Sequence, residues 1–168
     1  MKRHSRYWPA AALMLAAAGA ASAGTVKVTY QEPKNFHDMP FAESERTQVL
    51  KELTAHFDKL AKRLPLNQQL NVTVTDIDLA GRVEPTRRNA MNDLRILRGQ
   101  ADWPTMSLSY SLEQDGKVIA SGSENLKNML YLDRMNRYPG GDALRYEKPM
   151  LDDWFKDTFG APAQLSQK

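Results

Sequence analysis

Polar and apolar residues alternate over Thr25–Tyr30, with Val26, Val28 and Tyr30 on one side and Thr25, Lys27 and Thr29 on the other. That is the period of a half-buried β-strand. Between Ser44 and Leu64 the period changes: Val49, Leu53, Phe57, Leu60 and Leu64 form one apolar stripe along a helix, which Pro65 ends by disfavouring helix at Leu64. Leu70–Leu79 returns to alternation. Leu70, Val72 and Val74 share one parity and Ile77 and Leu79 the other, which predicts a bulge near Asp76. Thr105–Gln114 alternates Met106, Leu108, Tyr110 and Leu112 with serines. Gln114-Asp115-Gly116 is a tight hairpin signal, and Lys117–Leu126 is its return strand.

The stretch Ala80–Gln100 has no clean period. A long structureless run is unusual inside a compact domain, so a short strand over Leu94–Leu97 and a helical turn within Pro85–Asn92 are expected. A short helix is predicted over Asn128–Arg137, carrying Met129, Leu130 and Leu132. A second main helix is predicted over Pro149–Phe159, with Pro149 in its first turn and Met150, Leu151, Trp154, Phe155 and Phe159 on its apolar face. There Asp152 and Asp153 suit the positive N-terminal end. Gly160 and Pro162 stop the helix.

The order β-α-β-(β)-β-β-α predicts a single α+β domain over residues 24–162: a mainly antiparallel sheet of four to five strands with two main helices on one face. Residues 163–168 are expected to be a frayed tail. An antiparallel sheet can keep one face wet. Thr25, Thr29, Thr73, Thr75, Ser107, Ser109 and Ser111 would make that face flat and rich in hydroxyls.

The first 23 residues carry a different message. Lys2, Arg3 and Arg6 precede an apolar run from Ala10 to Ala18, and Ala21-Ser22-Ala23 is a small-x-small cleavage site. This is the pattern of a cleaved signal peptide, and the run is shorter than the roughly 20 residues of a membrane span. The segment therefore predicts a periplasmic or secreted chain with no membrane span after cleavage. Cleavage also changes the charge. The chain of 168 residues has 23 Lys and Arg against 20 Asp and Glu, a net +3. Without the three basic residues of the signal, 20 oppose 20. The pI of about 9.1 thus says nothing of the mature protein's partner. The absence of cysteine excludes disulfides, thiolate nucleophiles, cysteine-based metal sites and a lipid anchor on cysteine.

Several strings in the chain resemble one family. They are Val72–Gly81, Pro104–Leu112 with Asp115-Gly116, Glu124–Lys127 with Tyr131-Leu132, Tyr146–Lys148 and Leu151–Phe155. Together they resemble the bacterial secreted family called domain of unknown function 3016, over nearly the whole mature chain. The resemblance implies a bacterial, exported, single-domain protein and supplies no catalytic residues.

Candidate chemistry is sparse. His56 lies at the edge of the first helix stripe and His37 beside Asp38 in a loop. Without an HExxH motif no metal site is predicted. Asp76 and Asp78 share a strand face, where two carboxylates could divide into acid and base. They are the candidate catalytic pair. No GxSxG, GxGxxG or P-loop spacing occurs, so no cofactor is predicted. Between Arg82 and Arg98 five arginines face only Glu84 and Asp93. Arginine grips carboxylate or phosphate with two parallel bonds, which makes Arg87, Arg88, Arg95 and Arg98 the candidate ligand-binding residues. The segment lacks interleaved aromatics, which argues against nucleic acid. The expectation is a non-catalytic periplasmic module that binds an envelope component or a protein. The alternatives are a structural or assembly protein using the Ser/Thr face, and a hydrolase using Asp76 and Asp78.

Overall fold

The computed structural model describes residues 23–84, 94–99 and 101–160. The signal segment up to residue 22, the helical turn expected within Pro85–Asn92, Arg87, Arg88 and the tail 163–168 lie outside the described residues. The elements are β1 (Thr25–Tyr30), α1 (Glu43–Ala61), β2 (Gln68–Asp78), β3 (Arg82–Glu84), β4 (Leu94–Ile96), β5 (Thr105–Gln114), β6 (Lys117–Lys127) and α2 (Glu147–Phe159). The main sheet has the order β1-β2-β5-β6. The fold is α+β, and the strand and helix order roughly fits the expected one, with β3 as an additional short strand.

Two of the three pairings are antiparallel, β2 with β5 and β5 with β6. The β1–β2 pairing is parallel, Val28 lying opposite Val72, because α1 carries the chain back to the starting end of the sheet before β2 begins. The hairpin between β5 and β6 turns through Asp115 and Gly116, both at positive φ (52° and 76°). Two left-handed residues are what a two-residue hairpin needs to match strand twist. The expected short strand near Leu94 exists as β4, but it pairs with β3 in a separate two-stranded ladder.

The parity change in β2 has the predicted cause. The register with β5 slips between Val74 and Asp76. Thr75 is the extra residue, and its hydroxyl donates to the Ser107 carbonyl at 3.2 Å. The slip returns Ile77 to the core, fully buried, and leaves Asp76 opposite Ser107 on the other face.

Leu53, Phe57 and Leu60 of α1 and Met150, Leu151, Trp154 and Phe155 of α2 pack on one sheet face against Leu70, Val72, Val74, Met106, Leu108 and Leu112. The other face is polar. Its rows run Lys27–Asn71–Ser111–Ser121 and Thr29–Thr73–Ser109–Ser123. Asn71 ties its own row to the next, donating to Ser111 at 3.5 Å and to Glu113, the partner of Gln69, at 2.9 Å.

The short helix predicted over Asn128–Arg137 is not present; that segment is a series of turns. The N–H groups of both Asp133 and Arg134 go to the Leu130 carbonyl at 3.1 Å, closing one turn only. Met129, Leu130 and Leu132 stay exposed, so a helix there would have had no apolar face to bury. The segment is held by its polar side chains instead. Among the described residues no helix is long and apolar enough to cross a membrane.

Candidate functional site

Among the described residues, a groove of about 600 Å3 lies between β6 and α2. Two features of the sequence open it. The core-facing side of β6 presents Ala120, Gly122, Glu124 and Leu126 opposite Leu112, Tyr110, Leu108 and Met106, so its middle positions are small. A Cβ on Gly122 would come within 2.9 Å of the Tyr110 ring, so the missing side chain lets that ring lie over β6. Trp154 projects from α2 beside it. Tyr110, Trp154 and Phe159 stand edge to face, with centroids 5.4–5.8 Å apart, the preferred geometry for aromatic quadrupoles. The indole N–H of Trp154 is buried and has no acceptor among the described residues. Around this aromatic floor stand Glu124, Asp157, Lys127 and the Arg134–Asp153 ion pair at 2.6 Å.

The groove also borders the free edge of the sheet. β6 has eleven residues and pairs only with β5 among the described residues. It contains no proline, and its lysines sit at its ends. Such an edge offers alternate unpaired backbone donors and acceptors.

The sequence-predicted candidates lie elsewhere. Asp76 and Asp78 do share the open face, close to Asp38, which forms a parallel bridge with Asp78. Asp76 accepts the backbone N–H of His37 at 2.8 Å. Burial, together with the neighbouring charges of Asp38 and Asp76, raises the Asp78 carboxyl above the ordinary range against the opposing pull of His37 and Arg95. Asp78 can therefore hold a proton more readily than a solvated aspartate. No group of three or more acidic, histidine or cysteine side chains suited to a metal occurs among the described residues.

Arg95 is turned to structural use. Its Nη1 lies 2.8 Å from the Asp38 carboxylate, 3.1 Å from the Ala80 carbonyl and 3.0 Å from the Gly81 carbonyl. It so clamps the end of β2 to the loop after β1. Arg98, three residues on, is exposed.

One cluster escaped the sequence altogether. Asp152 is 3% exposed, and it sits in the second turn of α2, not at the helix start. Its role is not to meet the helix N-terminus. Its carboxylate accepts the Tyr138 hydroxyl at 2.5 Å and pairs with Arg137. His56 Nε2 of α1 lies 3.2 Å from the other oxygen, close but off hydrogen-bond alignment. Burial would raise the Asp152 carboxyl, but Tyr138, Arg137 and His56 together hold it below the usual range. Burial lowers the His56 imidazole, and the Asp152 charge only partly offsets this. Lys148 pairs with Asp142 at 2.6 Å beside them. These contacts tie α1, α2 and the 137–142 turn together. The clue in the sequence was an acid inserted between Leu151 and Trp154 on an apolar face, which a distant partner had to satisfy.

Glu147 begins α2 and is 2% exposed. One of its oxygens accepts the Ala80 N–H at 2.8 Å. Burial raises its carboxyl pKa above the ordinary value despite the backbone N–H groups it meets. A carboxyl raised by folding contributes stability at low pH, below its unfolded value, and loses that contribution as pH rises through its folded value. Glu147→Gln keeps an acceptor for Ala80 and removes the buried charge. Urea midpoints should therefore show the variant more stable than the native chain at pH 8, with the gap narrowing at pH 5.

Comparison with known proteins gives no curated match. A crystal structure of a Xanthomonas campestris protein of family DUF330 aligns with a TM-score of 0.37 and 11% identity, covering 81% of this chain and 80% of that one. The model of a family described as protein of unknown function (DUF3016) matches residues 24–157, from just before β1 into the last turns of α2. That match takes in every strand, α1 and most of the residues that line the β6–α2 groove, and the chain belongs to this family.

Proposed function

We propose that this protein is an exported, non-catalytic module that binds a protein or another component of the bacterial envelope. The signal-like segment Met1–Ala23 supports export. The observation that carries binding is the β6–α2 groove, an aromatic-floored concavity beside an uncovered sheet edge. Arg87, Arg88 and Arg98 remain candidate contacts to an anionic partner. Arg95 is a poor probe of binding, because charge reversal there would break the clamp on Asp38 and the β2 end. The test is photo-crosslinking in living cells from a benzoylphenylalanine placed at Ser123 on the β6 edge, with cell fractionation alongside. A discrete crosslinked partner in the envelope fraction is the expected result. Cytoplasmic retention, or no adduct from Ser123 or Arg98, would sink the proposal.

A structural or assembly role has its own support in the four-strand polar face, where Asn71, Ser111 and Glu113 are already linked by hydrogen bonds. Sedimentation showing a monomer at millimolar concentration would count against self-assembly. A hydrolase would draw on the raised Asp78 carboxyl beside Asp76. Full activity in Asp76→Asn would end that case.

A further inference from the structure

We propose that the partner contributes an extended peptide strand, which adds to the free edge of β6 and sets an apolar side chain and a neighbouring basic one into the β6–α2 groove. This rests on the binding-module proposal above and specifies its ligand.

Backbone complementarity comes first. A strand added beside β6 would satisfy its outward-facing N–H and C=O groups, and every second side chain of the newcomer would lie on the helix side of the sheet. On that side β6 offers Ala120 and Gly122, which leave the Tyr110 and Trp154 rings within reach of the incoming side chain. Larger residues at these two positions would wall the aromatic floor off from the edge.

Chemistry selects the side chains. The aromatic floor, with Tyr110 and Trp154 among its lining residues, takes an apolar group. Charge selects the neighbour. Glu124, Asp153 and Asp157 face Lys127 and Arg134 around the groove, and Arg134 is already bound to Asp153. Glu124 and Asp157 are exposed and have no cation at ion-pair distance among the described residues. The rim therefore carries an excess of acid that a lysine or arginine of the peptide would complement.

The test uses the full chain and a synthetic peptide in which lysine alternates with valine and leucine, with a glutamate-for-lysine version as control. Hydrogen exchange followed by NMR reads the site. The expected result is at least tenfold protection of alternate β6 amides by the lysine peptide and none by the control. The exposed double variant Glu124→Lys with Asp157→Lys should reverse that preference. Gly122→Val, by driving the Tyr110 ring into the groove, should weaken binding at least tenfold, and Trp154→Phe should weaken it less. Absence of β6 protection at millimolar peptide would overturn the proposal, as would equal binding of both peptides. Protection of β6 without peptide, in step with dimer formation, would overturn it in favour of a second copy. A partner crosslinked at Ser123 in cells with no peptide effect on β6 would defeat this inference alone and leave the binding module standing.

Discussion

Trp154→Ala should lower the unfolding free energy by about 3–5 kcal/mol, the usual cost of truncating a buried tryptophan. The residue is 6% exposed and is the hub of the aromatic cluster, edge to face with Phe57, Tyr110, Phe155 and Phe159. Its removal leaves a void that touches α1, β5 and α2 together, so no single neighbour can collapse into it. Chemical denaturation with tryptophan-independent circular dichroism reads the effect. A loss below about 1 kcal/mol, the scale of a surface change, would mean that α2 does not pack on the sheet as described.

Asp152→Ala ranks second, at about 2–3 kcal/mol. Breaking a buried ion pair can cost about 3–5 kcal/mol when a charge is left stranded. Here the Arg137 side chain is 63% exposed and can return to water, so the stranded charge is largely avoided. What remains is the loss of charge-assisted hydrogen bonds, each worth about 1.5–3 kcal/mol, less the cost of burying the carboxylate. The same cluster fixes a pH dependence. A histidine whose folded pKa is lowered contributes stability above its unfolded value of about 6.5, and that contribution is lost as pH falls toward the folded value. A lowered carboxyl adds a further loss at more acidic pH. Stability should therefore begin to fall below about pH 6.5, and His56→Gln should flatten the first part of that fall. Urea midpoints from pH 8 to pH 4 in the native chain, His56→Gln and Asp152→Ala test this. An unchanged slope in His56→Gln would remove His56 from the account. Glu147 contributes in the opposite sense, which is why the Gln variant there serves as the counter-control.

Much of the fold was legible because it depends on near neighbours. The stripe through Leu53, Phe57 and Leu60 makes a helix in any context that offers one apolar surface. The parity change after Val74 could be read as a bulge, because side chains in a strand must alternate and Ile77 must still reach the core. Asp115-Gly116 suits a turn by local backbone sterics alone. The turn segment 128–137 misled for the same reason. Its apolar residues suggested a helix, but its Arg134 and Arg137, with Tyr138 just after it, are bound by acids on α2.

The candidate sites were less legible. Asp76 and Asp78 were correctly placed on one face, since that needs only the strand period. That Arg95 would meet Asp38 could not be read, because 57 positions separate them. His56 and Asp152 meet only because α1 and α2 lie side by side on the sheet. The β6–α2 groove depends on Gly122 facing Tyr110, a consequence of the β5–β6 register.

The sequence by itself determined the four strands of the main sheet, the two main helices, the bulge, the hairpin and the polarity of the two sheet faces, since each follows from side-chain period or local backbone sterics. Only the tertiary structure decided the parallel β1–β2 pairing, the buried Asp152 cluster, the use of Arg95 as a clamp and the groove beside an open edge. These arise from contacts between residues far apart in the chain, and neither periodicity nor composition carries that information.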